Sequence, residues 1–175
     1  MKRMTLRELT LAAVIAAVYA GLTLFLPIPQ YGQLQVRVAE ALTVLPFFFP
    51  AAIPGLFVGC VIANLFSPFV LDVVFGSAAT LLACLWTGRL RSRWLAPLPP
   101  VVCNAVIVGA ELAFFEVGVS QAFWGAFAFN ALTVGAGELL ACYVFGGVLL
   151  TVLYRTPACR EHISPQRLTQ VRGFD

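Results

Sequence analysis

The chain of 175 residues is 61% apolar and only 11% charged, with a net charge of +3 and a mean hydropathy of +0.92. Soluble domains carry about 45–50% apolar and about 25% charged residues, so this composition excludes a soluble protein and indicates an integral membrane protein. At roughly 20 residues for each transmembrane helix, the length allows about six or seven spans. It leaves no room for an ATPase cassette, a dinucleotide-binding unit or a DNA-binding module.

Apolar runs separated by proline, glycine or charged residues predict the membrane helices. The first run is long enough to span the bilayer, and we expect a retained helix because no cleavage site and polar domain follow it. The second run is short and contains Pro46, so the second and third runs are expected to form either two spans joined by a tight turn or a re-entrant hairpin. The runs are Leu9–Leu26, Ala41–Phe49, Ala51–Phe66, Asp72–Gly88, Pro100–Val117 and Ala131–Leu153.

The basic residues predict the orientation of these helices. With an even number of spans, all of the 11 basic residues except Arg37 fall on one side, which the positive-inside rule assigns to the cytoplasm. Both termini are therefore expected there, with residues 1–155 as a single transmembrane substrate-binding domain and residues 156–175 as a polar cytoplasmic tail. We interpret these residues as topology signals and not as a nucleic-acid patch. They are Lys2, Arg3, Arg7, Arg89, Arg91, Arg93, Arg155, Arg160, Arg167 and Arg172.

Metal and nucleophile chemistry has little support in the sequence. The five cysteines are scattered and form no CxxC pair, and the single histidine, His162, lies in the polar tail. A metal site or a disulfide framework is therefore not expected. No catalytic residue, metal ligand or cofactor is predicted.

The outer half of the chain carries polar residues that are costly inside a membrane. An ionisable group near a helix centre costs roughly 2.5–3.5 kcal/mol by insertion scales, so such groups are interpreted as functional. Glu111 and Glu138 lie about two turns inside their helices, where they can contact a ligand, bond another helix or pair with Arg37. Asp72 can instead be a helix cap. The candidate substrate-binding residues in this half are Arg37, Glu40, Asn64, Asp72, Glu111, Asn130 and Glu138.

An aromatic segment, Gln121–Asn130, precedes the last run. Aromatic residues concentrate at membrane interfaces, so an interfacial belt is one interpretation. The other is a stacking wall over the acidic cluster, in which Trp124 contacts the substrate.

The first run has small residues at every fourth position. Small side chains at this spacing let another helix approach closely. The partner helix can belong to the same bundle or to a separate subunit, and the two neighbouring rows can serve the two purposes. The rows are Ala12, Ala16 and Ala20, and Ala13, Ala17 and Gly21.

Four strings of the sequence resemble motifs of the queuosine-precursor transporter (QueT-type) family. These transporters are substrate-binding S components of energy-coupling factor (ECF) transporters. The resemblance runs from Met4 to Tyr154 and keeps the motifs in order. The strings are RVAEALTVLP at Arg37–Pro46, PGLFVGC at Pro54–Cys60, DVVFGSAATLLA at Asp72–Ala83 and GELL at Gly137–Leu140.

The resemblance implies an all-α, six-helix S-component bundle with an extracytoplasmic substrate pocket, in the cell membrane of a prokaryote. It also implies that the alanine-rich first helix docks on a transmembrane coupling subunit, which two cytoplasmic ATPase subunits drive. The implied substrate is preQ0, preQ1, queuine, queuosine or a related 7-deazaguanine. No nucleic-acid partner is expected.

The candidate residues suit such a ligand. A guanine-like edge presents two adjacent N–H donors, which one carboxylate can accept together, and a 6-oxo group that needs a donor from Arg37, Asn64 or Asn130. A second carboxylate would pair with the aminomethyl cation of preQ1. Two alternatives stay open: an S component for another vitamin-like small molecule, and a stand-alone secondary transporter in which Glu111 and Glu138 carry protons. An intramembrane enzyme is disfavoured because the sequence has neither a GxSxG nor an HExxH motif.

Overall fold

The computed structural model describes residues 4–28, 30–32 and 35–171, so the predicted topology signals Lys2, Arg3 and Arg172 lie outside the described residues. The α-helices are numbered α1 to α7 in chain order, and a 3-10 helix runs between α1 and α2. The long helix α5 contains a π-helical segment. The bounds are Leu6–Phe25 (α1), Val38–Phe47 (the 3-10 helix), Ala52–Asn64 (α2), Phe75–Thr87 (α3), Leu98–Val117 (α4), Phe123–Arg155 (α5, with the π segment Leu140–Gly146), Pro157–Arg160 (α6) and Pro165–Gln170 (α7).

Four helical stretches are long and apolar enough to cross a bilayer, and two shorter apolar helices accompany them. Large apolar side chains cover the outside of the bundle, with Phe25 85% exposed, as a lipid-facing surface requires. The prediction of an all-helical, multi-pass membrane protein is therefore confirmed for the described residues. The six-helix count and the cytoplasmic position of the termini stay predictions. The four long stretches are Leu6–Phe25, Val70–Thr87, Leu98–Val117 and Phe123–Arg155.

The second and third predicted runs form the two shorter helices. The 3-10 helix rises about 2.0 Å per residue, so its 10 residues cover about 20 Å. Helix α2, with 13 residues, covers a similar length at 1.5 Å per residue. Each is shorter than the roughly 30 Å hydrocarbon core of a bilayer. The two helices are joined by the tight turn at Phe48–Ala51.

The last helix is longer than its predicted run, Ala131–Leu153. It begins at Phe123 and continues to Arg155, so most of the aromatic segment Gln121–Asn130 belongs to this helix. With 33 residues, α5 is longer than the roughly 20 residues that a bilayer requires.

Small residues set the packing of α1 against α2. A Cβ atom added at Gly59 would lie 2.8 Å from the backbone oxygen of Ala16, and one at Gly55 would clash with the backbone of Ala12. These two helices run parallel at close approach. The row Ala12, Ala16 and Ala20 is therefore buried inside the bundle, while Ala13 and Ala17 of the neighbouring row are exposed.

The tail packs against the C-terminal end of the 3-10 helix. Ile163 is buried in a cluster with Phe47, and Leu168 and Val171 pack on the same cluster. The guanidinium of Arg167 donates to the backbone oxygen of Phe47. The tail, which the sequence predicts to be a polar segment, thus packs apolar residues against one end of the bundle.

Candidate functional site

The carboxylate of Glu40 is the centre of a buried polar cluster. The 3-10 helix places it among α1, α2 and α3, where it is fully buried. Its Oε1 atom accepts hydrogen bonds from the Tyr19 hydroxyl and, at 3.2 Å, from Thr80 Oγ1. Its Oε2 atom is buried and has no hydrogen-bond partner among the described residues. This oxygen is available to a ligand donor.

Glu138 lies on α5, next to the 3-10 helix. The thiol of Cys142, one helical turn further along, donates to Glu138 Oε2 at 3.5 Å and to the backbone oxygen of Glu40 at the same distance. Thr43 Oγ1 donates to that backbone oxygen as well, at 2.5 Å. Cys142 belongs to the π segment, and its thiol lies between the Glu138 carboxylate and the backbone of Glu40. Segments of π-helix of this kind occur often at functional sites.

The amide of Asn64 joins α2 to the start of α3. Its Nδ2 donates to the backbone oxygen of Asp72 at 2.9 Å and to Ser77 Oγ at 3.3 Å. The carboxylate of Asp72 in turn accepts from the Ser67 hydroxyl. Asn64 Oδ1 is buried, and no described group donates to it. Asp72 thus sits in a 3-10 turn ahead of α3. It does not cap α3, because the N-cap residue is Val74 and no side chain caps this helix by a hydrogen bond.

Glu111 has a buried carboxyl group without an N–H or hydroxyl partner among the described residues. The side chain is 5% exposed, and neither carboxyl oxygen accepts a hydrogen bond from such a donor. The carboxyl group of Asp72 lies near enough for the two acids to share one proton, and Arg37 is within electrostatic reach. Burying a carboxylate without partners is costly, so two acceptor oxygens in this position favour a ligand that brings donors.

The loop after α1 folds over this cluster. The buried guanidinium of Arg37 donates from Nε to the backbone oxygen of Gln30 at 3.2 Å and lies 5.1 Å from the centre of the Tyr31 ring. The Tyr31 hydroxyl donates to the backbone oxygen of Ala63 at 2.7 Å. Burial raises the pKa of this hydroxyl, so it stays a donor near neutral pH. Arg37 and Glu40, which are three residues apart, therefore have different hydrogen-bond partners.

Two candidates lie away from the cluster around Glu40. Asn130 is fully buried between α4 and α5, where its Nδ2 donates to Glu116 Oε1 at 2.9 Å. Trp124 is 73% exposed at the N-terminal end of α5 and meets the rings of Phe123 and Phe127 edge-on. The aromatic segment thus forms a row of rings on the surface, and the ring contacts of Trp124 within the described part of the chain do not include the carboxylates.

Most of the unpartnered buried side-chain atoms among the described residues are acceptor oxygens. Those of Glu40, Asn64 and Glu111 lie on the helices that form the polar cluster, and they favour a ligand that brings N–H donors. Donors are fewer. They are the amide nitrogens of Gln30 and Asn104, the latter beside Glu138, and a guanidinium nitrogen of Arg167 in the tail. No group of three or more described His, Cys, Asp or Glu side chains is placed to hold a metal ion. The unpartnered acceptors are Gln30 Oε1, Glu40 Oε2, Asn64 Oδ1, Glu111 Oε1 and Oε2, and Asn130 Oδ1.

Several residues of the cluster were missed by sequence reasoning, among them Tyr19, Thr80 and Cys142. Tyr19 had a usable signal, because it lies on the helical face that Ala12 and Ala16 define. A neutral hydroxyl or thiol costs little free energy inside an apolar run, so its position in the sequence does not indicate a functional role. Its role depends on which helices pack together, and this cannot be predicted from a single run.

Comparisons with known proteins agree with the resemblance. No solved structure matches the chain. The chain is 27% identical over 155 residues to the queuosine precursor transporter QueT of Lactococcus lactis subsp. cremoris strain MG1363, an alignment that covers 78% of this chain and 92% of that protein. The family described as QueT transporter matches residues 9–155. A match over this much of the sequence, together with the apolar helices, shows that the chain belongs to the QueT transporter family.

Proposed function

We propose that the protein is the membrane-embedded S component of an ECF transporter and binds a queuosine precursor or a related 7-deazaguanine. The family is one of transporters, and the relative from Lactococcus lactis is named for transport of a queuosine precursor. The observation that carries the substrate class is the buried, unpartnered carboxylate of Glu111. In this proposal the protein performs no catalysis and works in the cell membrane of a prokaryote.

The hydrogen-bonding pattern supports a guanine-like ring. Such a ring presents two adjacent N–H donors, which match the two acceptor oxygens of Glu111. The unpartnered oxygen of Glu40 then faces further ligand donors, such as the aminomethyl cation of preQ1. Gln30 Nε2 or Arg37 can donate to the 6-oxo group. One buried group left unpaired costs roughly 1–3 kcal/mol. A ring whose edge lacks the two adjacent N–H donors would therefore bind much more weakly.

The exposed small-residue row of α1 supports the assembly part of the proposal. Ala13 and Ala17 are exposed, and a Cβ atom added at Gly21 would meet no atom within 4 Å. Helices in lipid associate through close packing of such surfaces. We propose that this row docks on the transmembrane coupling subunit, which two cytoplasmic ATPase subunits drive. The buried row Ala12, Ala16 and Ala20 lies on the opposite side of α1, where Ala12 and Ala16 pack against α2.

Two measurements test the proposal. Calorimetric titration of the purified protein with preQ0, preQ1, queuine and queuosine should show binding of at least one 7-deazaguanine. Guanine has the same hydrogen-bonding edge but no aminomethyl group, so its titration measures what that group adds to the affinity. Uptake of that ligand should be lost in cells that lack the ATPase subunits. Uptake that persists without them would overturn the S-component assignment in favour of a secondary transporter. Failure of every 7-deazaguanine to bind would overturn the substrate assignment.

A further inference from the structure

A groove of about 410 Å³ lies at the arginine-rich end of the bundle, away from the buried carboxylates. One wall is a stripe of α5 that includes Val144 and Val148, which are 49% and 60% exposed. Trp94, from the segment before α4, forms part of the other wall. A Cβ atom added at Gly147 would meet no atom within 4 Å, so the floor of the groove is open.

The shape of the groove suits an acyl chain. Its lining extends along α5 from Tyr143 to Val152, which at 1.5 Å per residue is about 13 Å. This length is close to the roughly 15 Å depth of one leaflet of a 30 Å hydrocarbon core. Because α5 is a membrane-length helix and the stripe is exposed, lipid is the medium that meets this surface.

One end of the groove is positively charged. Arg93 lines it, with the guanidinium 4.5 Å from the centre of the Trp94 ring. Arg89 and Arg91 precede it in the same loop, and no acidic residue occurs between residues 88 and 110. Tryptophan and arginine at a helix end mark the level of the lipid headgroups, and basic pockets between helices bind anionic headgroups.

We propose that this groove is a binding site for one anionic phospholipid. The acyl chain lies along Val144 and Val148, and the phosphate accepts hydrogen bonds from the Arg93 guanidinium, whose planar donors suit a phosphate group. A phosphatidylcholine can offer the same chains and phosphate, but its own choline cation reduces its net attraction to this end of the groove. The site is independent of the ligand that the protein transports.

Tryptophan quenching can test the proposal with the whole chain. A Trp86→Phe/Trp124→Phe double variant keeps Trp94 as the one tryptophan of the sequence. Reconstituted into neutral bilayers and titrated with phosphatidylglycerol carrying brominated acyl chains, it should be quenched at concentrations at least fivefold lower than with brominated phosphatidylcholine. Arg93→Gln should abolish this preference. Arg89→Gln removes the same charge from the same loop at a residue that does not line the groove, so this variant should keep the preference.

A second variant tests the groove itself. Gly147→Leu fills the open floor and should weaken quenching by both brominated lipids at least twofold. Equal quenching by the two headgroups in the starting protein would overturn the proposal and leave only general lipid contact. Equal loss in Arg89→Gln and Arg93→Gln would also overturn it, in favour of a diffuse surface charge. The headgroup comparison decides the matter even if Arg93→Gln does not fold.

Discussion

The hydroxyl of Tyr19 donates a hydrogen bond to the carboxylate of Glu40, so a single side chain joins α1 to the polar cluster. Tyr19 lies on the buried face of α1, whereas Ala17, two residues earlier, lies on the exposed face that we propose as the docking surface. A partner that displaces α1 would therefore move the Tyr19 hydroxyl relative to the Glu40 carboxylate. The same helix thus contacts both the proposed partner and the candidate ligand site.

Tyr19→Phe should weaken ligand binding and lower stability. The change removes one donor from a buried carboxylate oxygen of Glu40, and a lost partner of this kind costs roughly 1–3 kcal/mol. Thermal unfolding and ligand titration of the purified variant measure the two effects. Tyr143→Phe, on a half-buried residue outside the cluster, is the matched control and should leave affinity unchanged. Equal affinities of Tyr19→Phe and the starting protein would show that Glu40 does not need this bond for binding.

Glu111→Gln should weaken ligand binding at least tenfold, about 1.4 kcal/mol, while the protein still inserts and folds. The amide keeps one acceptor oxygen but replaces the other with a donor, which would face a donor of the ligand. Calorimetry on the purified variant gives the affinity. The control is Glu161→Gln, the same substitution on an exposed residue of the tail. If Glu111→Gln leaves the affinity unchanged, Glu111 does not contact the ligand, and its role is in helix packing.

Gly137→Ala should reduce affinity by displacing the loop before the 3-10 helix. A Cβ atom at Gly137 would clash with the backbone oxygen of Gln35, whereas one at Gly125 meets open space. Both glycines lie in α5, so Gly125→Ala makes the same gain in helix propensity, about 1 kcal/mol, without the clash. Ligand titration of the two variants separates the effects. Equal affinities would mean that the loop position does not control the site.

Ala17→Trp should abolish uptake while the isolated subunit keeps its affinity for the ligand. The exposed position tolerates the larger side chain, but the indole would hold a partner helix away and remove close packing. Ala16→Trp is the contrasting variant, because Ala16 packs against Gly59 inside the bundle, and it should lower thermal stability as well. Ligand titration beside uptake in cells that express the whole complex tests both. Normal uptake by Ala17→Trp would exclude this row from docking.

Composition and charge spacing were sufficient to predict the membrane class and most helices. Transfer of apolar residues into lipid is a property of each run by itself, so α1, α3 and α4 appear close to their predicted positions. The N-terminal start of α5 could not be predicted from the length of an apolar run, because the helix continues beyond the length that a bilayer requires. The two small-residue rows of α1 could be identified in the sequence. Which row faces the bundle could not be predicted, because Gly55 and Gly59, which pack against that row, lie far along the chain.

The sequence by itself predicted a functional role for Glu111 and Glu138, because charge inside an apolar run is costly wherever the run packs, and it placed Glu40 with them in the outer half of the chain. Only the tertiary structure decided what each carboxylate contacts. Glu40 meets Tyr19 and Thr80 through three different helices, and Glu111 meets no donor among the described residues. The physical reason is that a desolvation cost depends on local sequence, whereas a hydrogen bond depends on groups from distant parts of the chain approaching within about 3 Å.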